Sequence, residues 1–332
     1  MGAKIAAIEY YLPQTVLSNE ELYGEFPDWP PDKIEQKLGI RKRHIAGNAE
    51  TSLDLARHAA RKLIDIHGTE GIDYLLLCTQ SPDYWLPTSA CLLQDQLNLS
   101  PETAALDFNL GCSGFVYGLS LAKGLINSNQ ARKVLLITAE TYSKFIHPKD
   151  KANRTIFGDG AAATLIESSP DEHIFNFSLG TDGSGWKNLI VPNGGMRNRY
   201  DPDAAEATDG GGSVRTENHL FMNGPEIFNF TIRTIPRLVE NVLLKNNLSQ
   251  PDIDYFVLHQ ANKYMLDYLR QKLKIPVEKF YLDMAESGNT VSATVPVALK
   301  NCFDHRTVKE GNLVMLCGFG VGYSWGATII KI

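Results

Sequence analysis

The sequence has no Cys-x-x-Cys pair, no block of basic residues and no apolar run long enough to cross a bilayer. Its five cysteines stand at 78, 91, 112, 302 and 317, an odd set without metal-ligand spacing. That pattern predicts free thiols in a reducing cytoplasm and no metal site. A net charge of −6 offers no basic face to nucleic acid. The lack of an apolar span, and of a signal-peptide pattern at the start, predicts no membrane association. What is present, 332 residues of which 43% are hydrophobic and 21% charged, suits a compact enzyme with two domains or a duplicated core.

Cys112 is the most informative residue. The apolar strand Ala104-Ala105-Leu106-Asp107-Phe108 runs through Asn109-Leu110-Gly111 straight into a helical segment. This predicts a thiol exposed at a helix N-terminus, where unpaired N–H groups and the helix dipole favour the thiolate. Gly114, Gly118 and Gly124 leave one face of that helix almost bare, as if for close packing against other backbone. Taken alone, a cysteine on an apolar segment is more often a buried structural residue.

Two later segments bear on that choice. Tyr255-Phe256-Val257-Leu258 is an apolar run ending in His259-Gln260-Ala261-Asn262, and catalytic side chains tend to sit where buried strands end. Phe280-Tyr281-Leu282 reads as a strand leading to Gly288-Asn289 and then to a small-residue segment that turns helical near Pro296. Alone, His259 reads as a core histidine and Asn289 as a turn residue. An internal repeat joins them to Cys112. Ile72–Gln80 matches Ile253–Gln260, the segment leading to Cys112 matches the one leading to Asn289, and Lys133–Thr138 matches Gly311–Leu316, each about 180 residues apart. Equivalent loops of two packed halves would bring Cys112, His259 and Asn289 to one site. Strands alternating with helices, including helices near 52–66 and 88–97, predict an α/β protein with layered sheets. The Gly-rich stretch 193–218 is the one long irregular connector, read as a lid, a dimer element or a solvated linker between the halves.

The ordered set Leu110-Gly111-Cys112-Ser113-Gly114-Phe115, Phe157-Gly158-Asp159-Gly160-Ala161, His259-Gln260-Ala261-Asn262 and Gly288-Asn289-Thr290 resembles the motifs of ketoacyl-acyl-carrier-protein synthase III, in the thiolase superfamily. The likeness runs from Ile5 to Gly326 and includes Gly39–Ile45. It implies a thiolase-like five-layer αβαβα fold of two similar halves, 1–175 carrying the nucleophile and 176–332 carrying the His and Asn. It implies a homodimer with Cys112, His259 and Asn289 as catalytic residues at the foot of a pantetheine tunnel. The backbone N–H groups of Cys112 and Val321 become the oxyanion hole. Lys33, Lys37, Leu86, Lys151, Asn262, Phe319 and Gly320 fall along the substrate path. The implied substrates are acyl-CoA or acyl-carrier-protein thioesters and a malonyl thioester, with no cofactor, no metal, no nucleic acid and no membrane.

The chain departs from the family pattern in places that concern the substrate. The tunnel-mouth Trp and Arg that commonly sandwich the adenine of coenzyme A have no evident counterparts; Lys33 and Lys37 occupy that stretch and Lys151 stands where Arg is usual. Tyr264 replaces an Arg that helps to dock the carrier protein, Leu86 replaces a Phe that closes the acyl pocket across the dimer, and Val321 interrupts a Gly-Gly-Gly run.

Other readings are weaker. A papain-type Cys-His-Asn hydrolase would need an upstream Gln for its oxyanion hole. Gly318-x-Gly320-x-Gly322 leads into a strand rather than a helix, so it offers a nucleotide phosphate no helix N-terminus. An intact triad would be idle in a non-catalytic dimer partner. Within the superfamily, the alternative is an acyltransferase or a condensing enzyme of secondary metabolism that uses a non-malonyl acceptor.

Overall fold

The computed structural model describes residues 2–332. Apolar residues alternate along the central strands, and the two faces of each strand enter different cores. In Tyr74–Cys78, Leu76 points between the sheets whereas Leu75 and Leu77 point outward; in Lys133–Glu140, Val134 and Leu136 face inward and Leu135 and Ile137 outward. Burying each such side chain contributes on the order of 1.5–3 kcal/mol, and the period-2 pattern makes both faces of each sheet apolar.

The first sheet has the order Gly2–Tyr11, Gly160–Ser169, Lys133–Glu140, Tyr74–Cys78, Ala104–Phe108, with the last three strands parallel. The second has the order Ser178–Thr181, Ser324–Lys331, Leu313–Gly320, Tyr255–Leu258, and the last two are again parallel. Strand for strand the directions agree between the sheets. The counterpart of the fifth strand shrinks to one parallel bridge, Phe256 to Phe280. The expected strand Phe280–Leu282 is therefore absent beyond that bridge.

Helices complete five layers. Ser52–His67 covers the outer face of the first sheet through Leu55, Ala56, Ala59 and Leu63; Thr51 and Asp54 form its capping box. Gly114–Asn127 and Thr294–Asp304 lie between the sheets and share one core with Leu76, Val257 and Leu316. Gly224–Lys245 and Lys263–Lys272 pack on the far face of the second sheet, against Phe256, Met315 and Ile329. The architecture is αβαβα, as expected.

Two sequence expectations need correction. The 193–218 stretch is not a linker between halves, because Leu189–Ile190 before it pairs with Phe221–Met222 after it. It is an excursion carrying a small hairpin (Ala207–Thr208 with Val214–Arg215), tied to the 149–152 segment through Val214 N–H to Lys149 O, 3.1 Å, and Ala152 N–H to Ser213 Oγ, 3.0 Å. The three glycines of the helix Gly114–Asn127 do not form one close-packed face. Gly118 packs on Leu136 and Gly114 on the Cys78 sulfur, both side chains, while Gly124 faces open space.

Candidate active site

Parallel strands end at the same edge of a sheet, so Tyr255–Leu258 and Leu313–Gly320 end side by side in the second sheet, and the loop after Ala104–Phe108 of the first sheet meets them at one cavity. A narrow cavity of about 50 Å³ at this point is lined by Cys112, His259, Asn289, Asn262, Phe319 and Gly320. The structure thus brings together the three catalytic candidates and three of the seven substrate-path candidates.

Cys112 lies in a turn two residues before the helix Gly114–Asn127, with Gly114 N–H bonded to Gly111 O at 2.7 Å. Its thiol is buried rather than exposed, at 6% of full accessibility. Burial, and then the nearby Glu140 carboxylate, push the thiol up to about 12; the N–H groups of Cys112 and Val321 reach the sulfur and pull more weakly the other way. The expected thiolate is therefore not the resting form: desolvation outweighs the helix end. Gly318 and Gly320 explain the glycine run in the last strands. A Cβ at Gly318 would stand 2.7 Å from the Cys112 carbonyl oxygen and one at Gly320 2.9 Å from its sulfur. These glycines make room for Cys112.

His259 follows the Tyr255–Leu258 strand and is 2% exposed. Its Nδ1 lies 2.7 Å from Oγ1 of Thr294, and the edge of its ring system meets Phe319 at 5.6 Å and 87°. Desolvation lowers its pKa to about 3, so the imidazole is neutral. With a high thiol and a low imidazole, the resting pair is thiol plus neutral ring, not thiolate plus imidazolium.

Asn289 is anchored at both ends of its peptide unit, its N–H to Ile156 O at 2.9 Å and its C=O to Gly158 N–H at 3.0 Å. Val291 N–H donates to its Oδ1 at 2.9 Å, while its Nδ2 lies 3.5 Å from Ala261 O. The Phe157-Gly158-Asp159-Gly160 motif is a tight turn that supports this loop. A Cβ on Gly158 would meet Ser287 O at 2.4 Å, and buried Asp159 accepts from Ala46 and Ser143 N–H. Asn262 lines the cavity and also caps the Lys263–Lys272 helix, its Oδ1 accepting from Met265 N–H at 2.9 Å.

Lys33, Lys37, Lys151 and Leu86 lie outside the cavity wall. The three lysines converge on Trp29, their Nζ atoms 5.6, 5.4 and 5.8 Å from its ring centroid. Trp29 was not singled out in the sequence, yet it is the ring on which these lysines gather. Trp29 hides in the Pro27–Pro31 stretch, where no periodicity marks it. Lys151 also pairs with Asp28 at 2.5 Å. Leu86 is 83% exposed, next to exposed Trp85 and Tyr84.

Two polar residues beside the site escaped sequence reading. Glu140, fully buried, accepts from Gln80 N–H (3.0 Å), Ser81 Oγ (3.2 Å) and Ser292 Oγ (2.9 Å), and burial raises its pKa to about 8. Thr294 begins the helix Thr294–Asp304 and holds His259. Among the described residues, no group of three or more His, Cys, Asp or Glu could hold a metal, and no helix is long and apolar enough to cross a membrane.

A five-layer fold with Cys, His and Asn on converging loops defines a thiolase-type condensing enzyme, an acyltransferase. Residues 106–183 match the family described as 3-oxoacyl-[acyl-carrier-protein] synthase III, and residues 243–332 match its C-terminal region. A beta-ketoacyl-[acyl-carrier-protein] synthase III of Clostridium perfringens is 35% identical over 100% of this chain and 99% of its own length. One from Campylobacter fetus is 34% identical over 99% and 98%. A crystal structure of a 3-oxoacyl-(acyl-carrier-protein) synthase III superposes with a TM-score of 0.98 at 50% identity over the whole of both chains. A 3-oxoacyl-(acyl-carrier protein) synthase from Burkholderia xenovorans gives 0.92 at 35% identity, over 100% of this chain and 94% of its own. The chain belongs to the 3-oxoacyl-[acyl-carrier-protein] synthase III family.

Proposed function

We propose that the protein condenses an acyl primer with a malonyl thioester and releases carbon dioxide, as a fatty-acid initiation step or one related to it. The observation that carries the reading is the single cavity shared by Cys112, His259 and Asn289, contributed by both halves of the fold, 1–175 and 176–332. In the first half-reaction the Cys112 sulfur attacks the thioester carbonyl of an acyl donor. The N–H groups of Cys112 and Val321 hold the tetrahedral oxyanion. The donor's C–S bond then breaks, and the thiol proton ends on the departing sulfur. In the second, the C–CO2 bond of the malonyl thioester breaks and its electron pair becomes an enolate, whose oxygen takes hydrogen bonds from His259 and Asn289. The enolate carbon attacks acyl-Cys112, the acyl–sulfur bond breaks, and the Cys112 thiolate takes a proton from solvent. Charge is stabilised throughout by hydrogen-bond donors, so this chemistry calls for no metal or redox cofactor.

Substrate delivery has two proposed elements. Trp29, ringed by Lys33, Lys37 and Lys151, offers an aromatic face and cations to the nucleotide of coenzyme A. Arg233, Arg237 and Lys272 line an open cleft of about 640 Å³, along with Glu226. It flanks the helix Gly224–Lys245, whose Ile227 and Thr231 reach the Cys112 cavity; an acyl carrier protein of acidic surface would dock there. We place the enzyme in the cytoplasm as a homodimer, built on the exposed strand Ala104–Phe108 at the sheet edge and the apolar loop Tyr84-Trp85-Leu86.

Intact-mass spectrometry after incubation with a panel of acyl-CoAs and acyl carriers tests the loading step, and the adduct mass names the primer. Release of carbon dioxide from a malonyl thioester tests the second. Transfer of the acyl group to an amine or hydroxyl acceptor, with no carbon dioxide released, would replace condensation by the acyltransferase reading.

A further inference from the structure

His259 is asked to donate a hydrogen bond from a neutral ring. A neutral imidazole carries one N–H, and which nitrogen holds it is set by the partner of the other. Nδ1 makes the ring's hydrogen bond to the protein, 2.7 Å from Thr294 Oγ1, which leaves Nε2 for the cavity. The donor function therefore requires Nδ1 to be an acceptor, and its partner must supply the proton.

Thr294 is 3% exposed and its hydroxyl has two acceptors within reach, His259 Nδ1 at 2.7 Å and Val291 O at 3.0 Å. The Val291 carbonyl already accepts the backbone N–H of Thr294. It is satisfied without the hydroxyl, whereas an Nδ1 lone pair in this dry setting has no other donor. The shorter contact agrees with the hydroxyl proton lying toward the ring. We propose that Thr294 is a positioning residue whose hydroxyl donates to Nδ1 of His259 and so holds the imidazole as the Nε2–H tautomer, ready to donate to the enolate oxygen. The assignment rests on the condensation reading for its purpose, but not for its observable. It also gives the loop around Val291 a second use: the carbonyl takes Thr294 N–H while the N–H fixes Asn289, so one residue supports both donors.

The test combines tautomer and kinetics. Nitrogen-15 NMR of the histidine-labelled wild-type protein should show His259 with Nδ1 unprotonated and Nε2 protonated; the reverse pattern would overturn the proposal. Thr294→Val, which keeps the shape and removes the hydroxyl, should slow carbon dioxide release from a malonyl thioester about tenfold, the value of one neutral hydrogen bond. Acyl loading of Cys112 should be unchanged, and Thr294→Ser should restore release. Equal release by wild type and Thr294→Val, with an unchanged nitrogen-15 signature, would also overturn it. A fall in both half-reactions that Thr294→Ser does not restore would mark a structural role and count against it. If wild-type protein releases no carbon dioxide from any malonyl thioester, the condensation reading fails while the NMR measurement still decides the role of Thr294.

Discussion

Val291 holds Asn289 in place: its backbone N–H donates to Oδ1 of Asn289 at 2.9 Å, from a left-handed conformation with φ of +56°. A β-branched residue adopts that conformation only when its surroundings impose it. The consequence is directional. With Oδ1 taken by Val291 and one Nδ2 hydrogen directed to Ala261 O at 3.5 Å, the other Nδ2 hydrogen of Asn289 is the donor left to meet a ligand in the cavity.

Asn289→Asp keeps the Oδ1 contact and replaces the donor with an acceptor. The variant should still form the acyl-enzyme, since Cys112 and its N–H groups are untouched. Its carbon dioxide release should fall by about 10²–10³, the usual worth of one donor to an oxyanion. Single-turnover loading followed by mass, against carbon dioxide release measured in parallel, separates the two. Equal loss in both half-reactions would show that Asn289 does not act on the enolate alone.

The same loop shows why part of the site was legible in sequence. His259 closes an apolar run directly, Cys112 and Asn289 follow one through a short loop, and buried strands announce themselves by composition. The repeat then aligns the loops. Glu140 was not legible, because a carboxylate at the end of an apolar run reads as a charge reaching solvent. Its burial depends on donors at positions 80, 81 and 292, which only the fold assembles. Thr294 reads as an ordinary residue at a helix start. The exposure of Cys112 was misjudged for the opposite reason: a helix N-terminus is visible in sequence, but the wall of residues that desolvates the sulfur is not.

Glu140 makes the enzyme sensitive to pH. Its folded pKa of about 8 lies above its ordinary value of 4.5. Folding therefore favours the protonated form. The sign follows: stability is greatest below about pH 4.5 as far as this group is concerned, and is lost progressively as pH rises toward 8. Glu140→Gln, which mimics the neutral carboxyl, should flatten that decline, measured as melting temperature against pH. Ionised Glu140 also disfavours the Cys112 thiolate, so above pH 8 the variant should load acyl groups faster than wild type. A wild-type stability that rises from pH 5 to 8, with Glu140→Gln no different, would contradict this.

The cluster around Trp29 predicts how coenzyme A binds. Trp29→Ala should weaken affinity for free coenzyme A at every salt concentration, because the aromatic face is lost. Replacement of Lys33 and Lys37 by Ala should instead reduce the dependence on salt, since exposed charge contacts are worth about 0.2–1 kcal/mol each and are screened. Titration calorimetry at low and high salt distinguishes the two. An affinity insensitive to salt and unchanged in Trp29→Ala would place the nucleotide elsewhere.

Leu86 tests the dimer and the acyl pocket together. In the single chain it is 83% exposed, with Trp85 at 73% and Tyr84 at 58%. Three consecutive apolar side chains left in water cost free energy that a second copy would recover by covering them. On this account Leu86 enters the partner's acyl pocket, where a branched aliphatic chain leaves space that an aromatic ring would fill. Leu86→Phe should then narrow the primers accepted, and the longer acyl-CoAs in a mass-spectrometric loading panel should lose their adducts first. Discrimination of one methylene in an apolar pocket is worth about 1–3 kcal/mol, enough for a tenfold or larger change in relative loading. Leu86→Asp should shift the protein toward monomer in sedimentation velocity, because an unpaired carboxylate would be buried at the contact. A monomeric wild type, or a Leu86→Phe enzyme with an unaltered primer range, would remove Leu86 from the pocket.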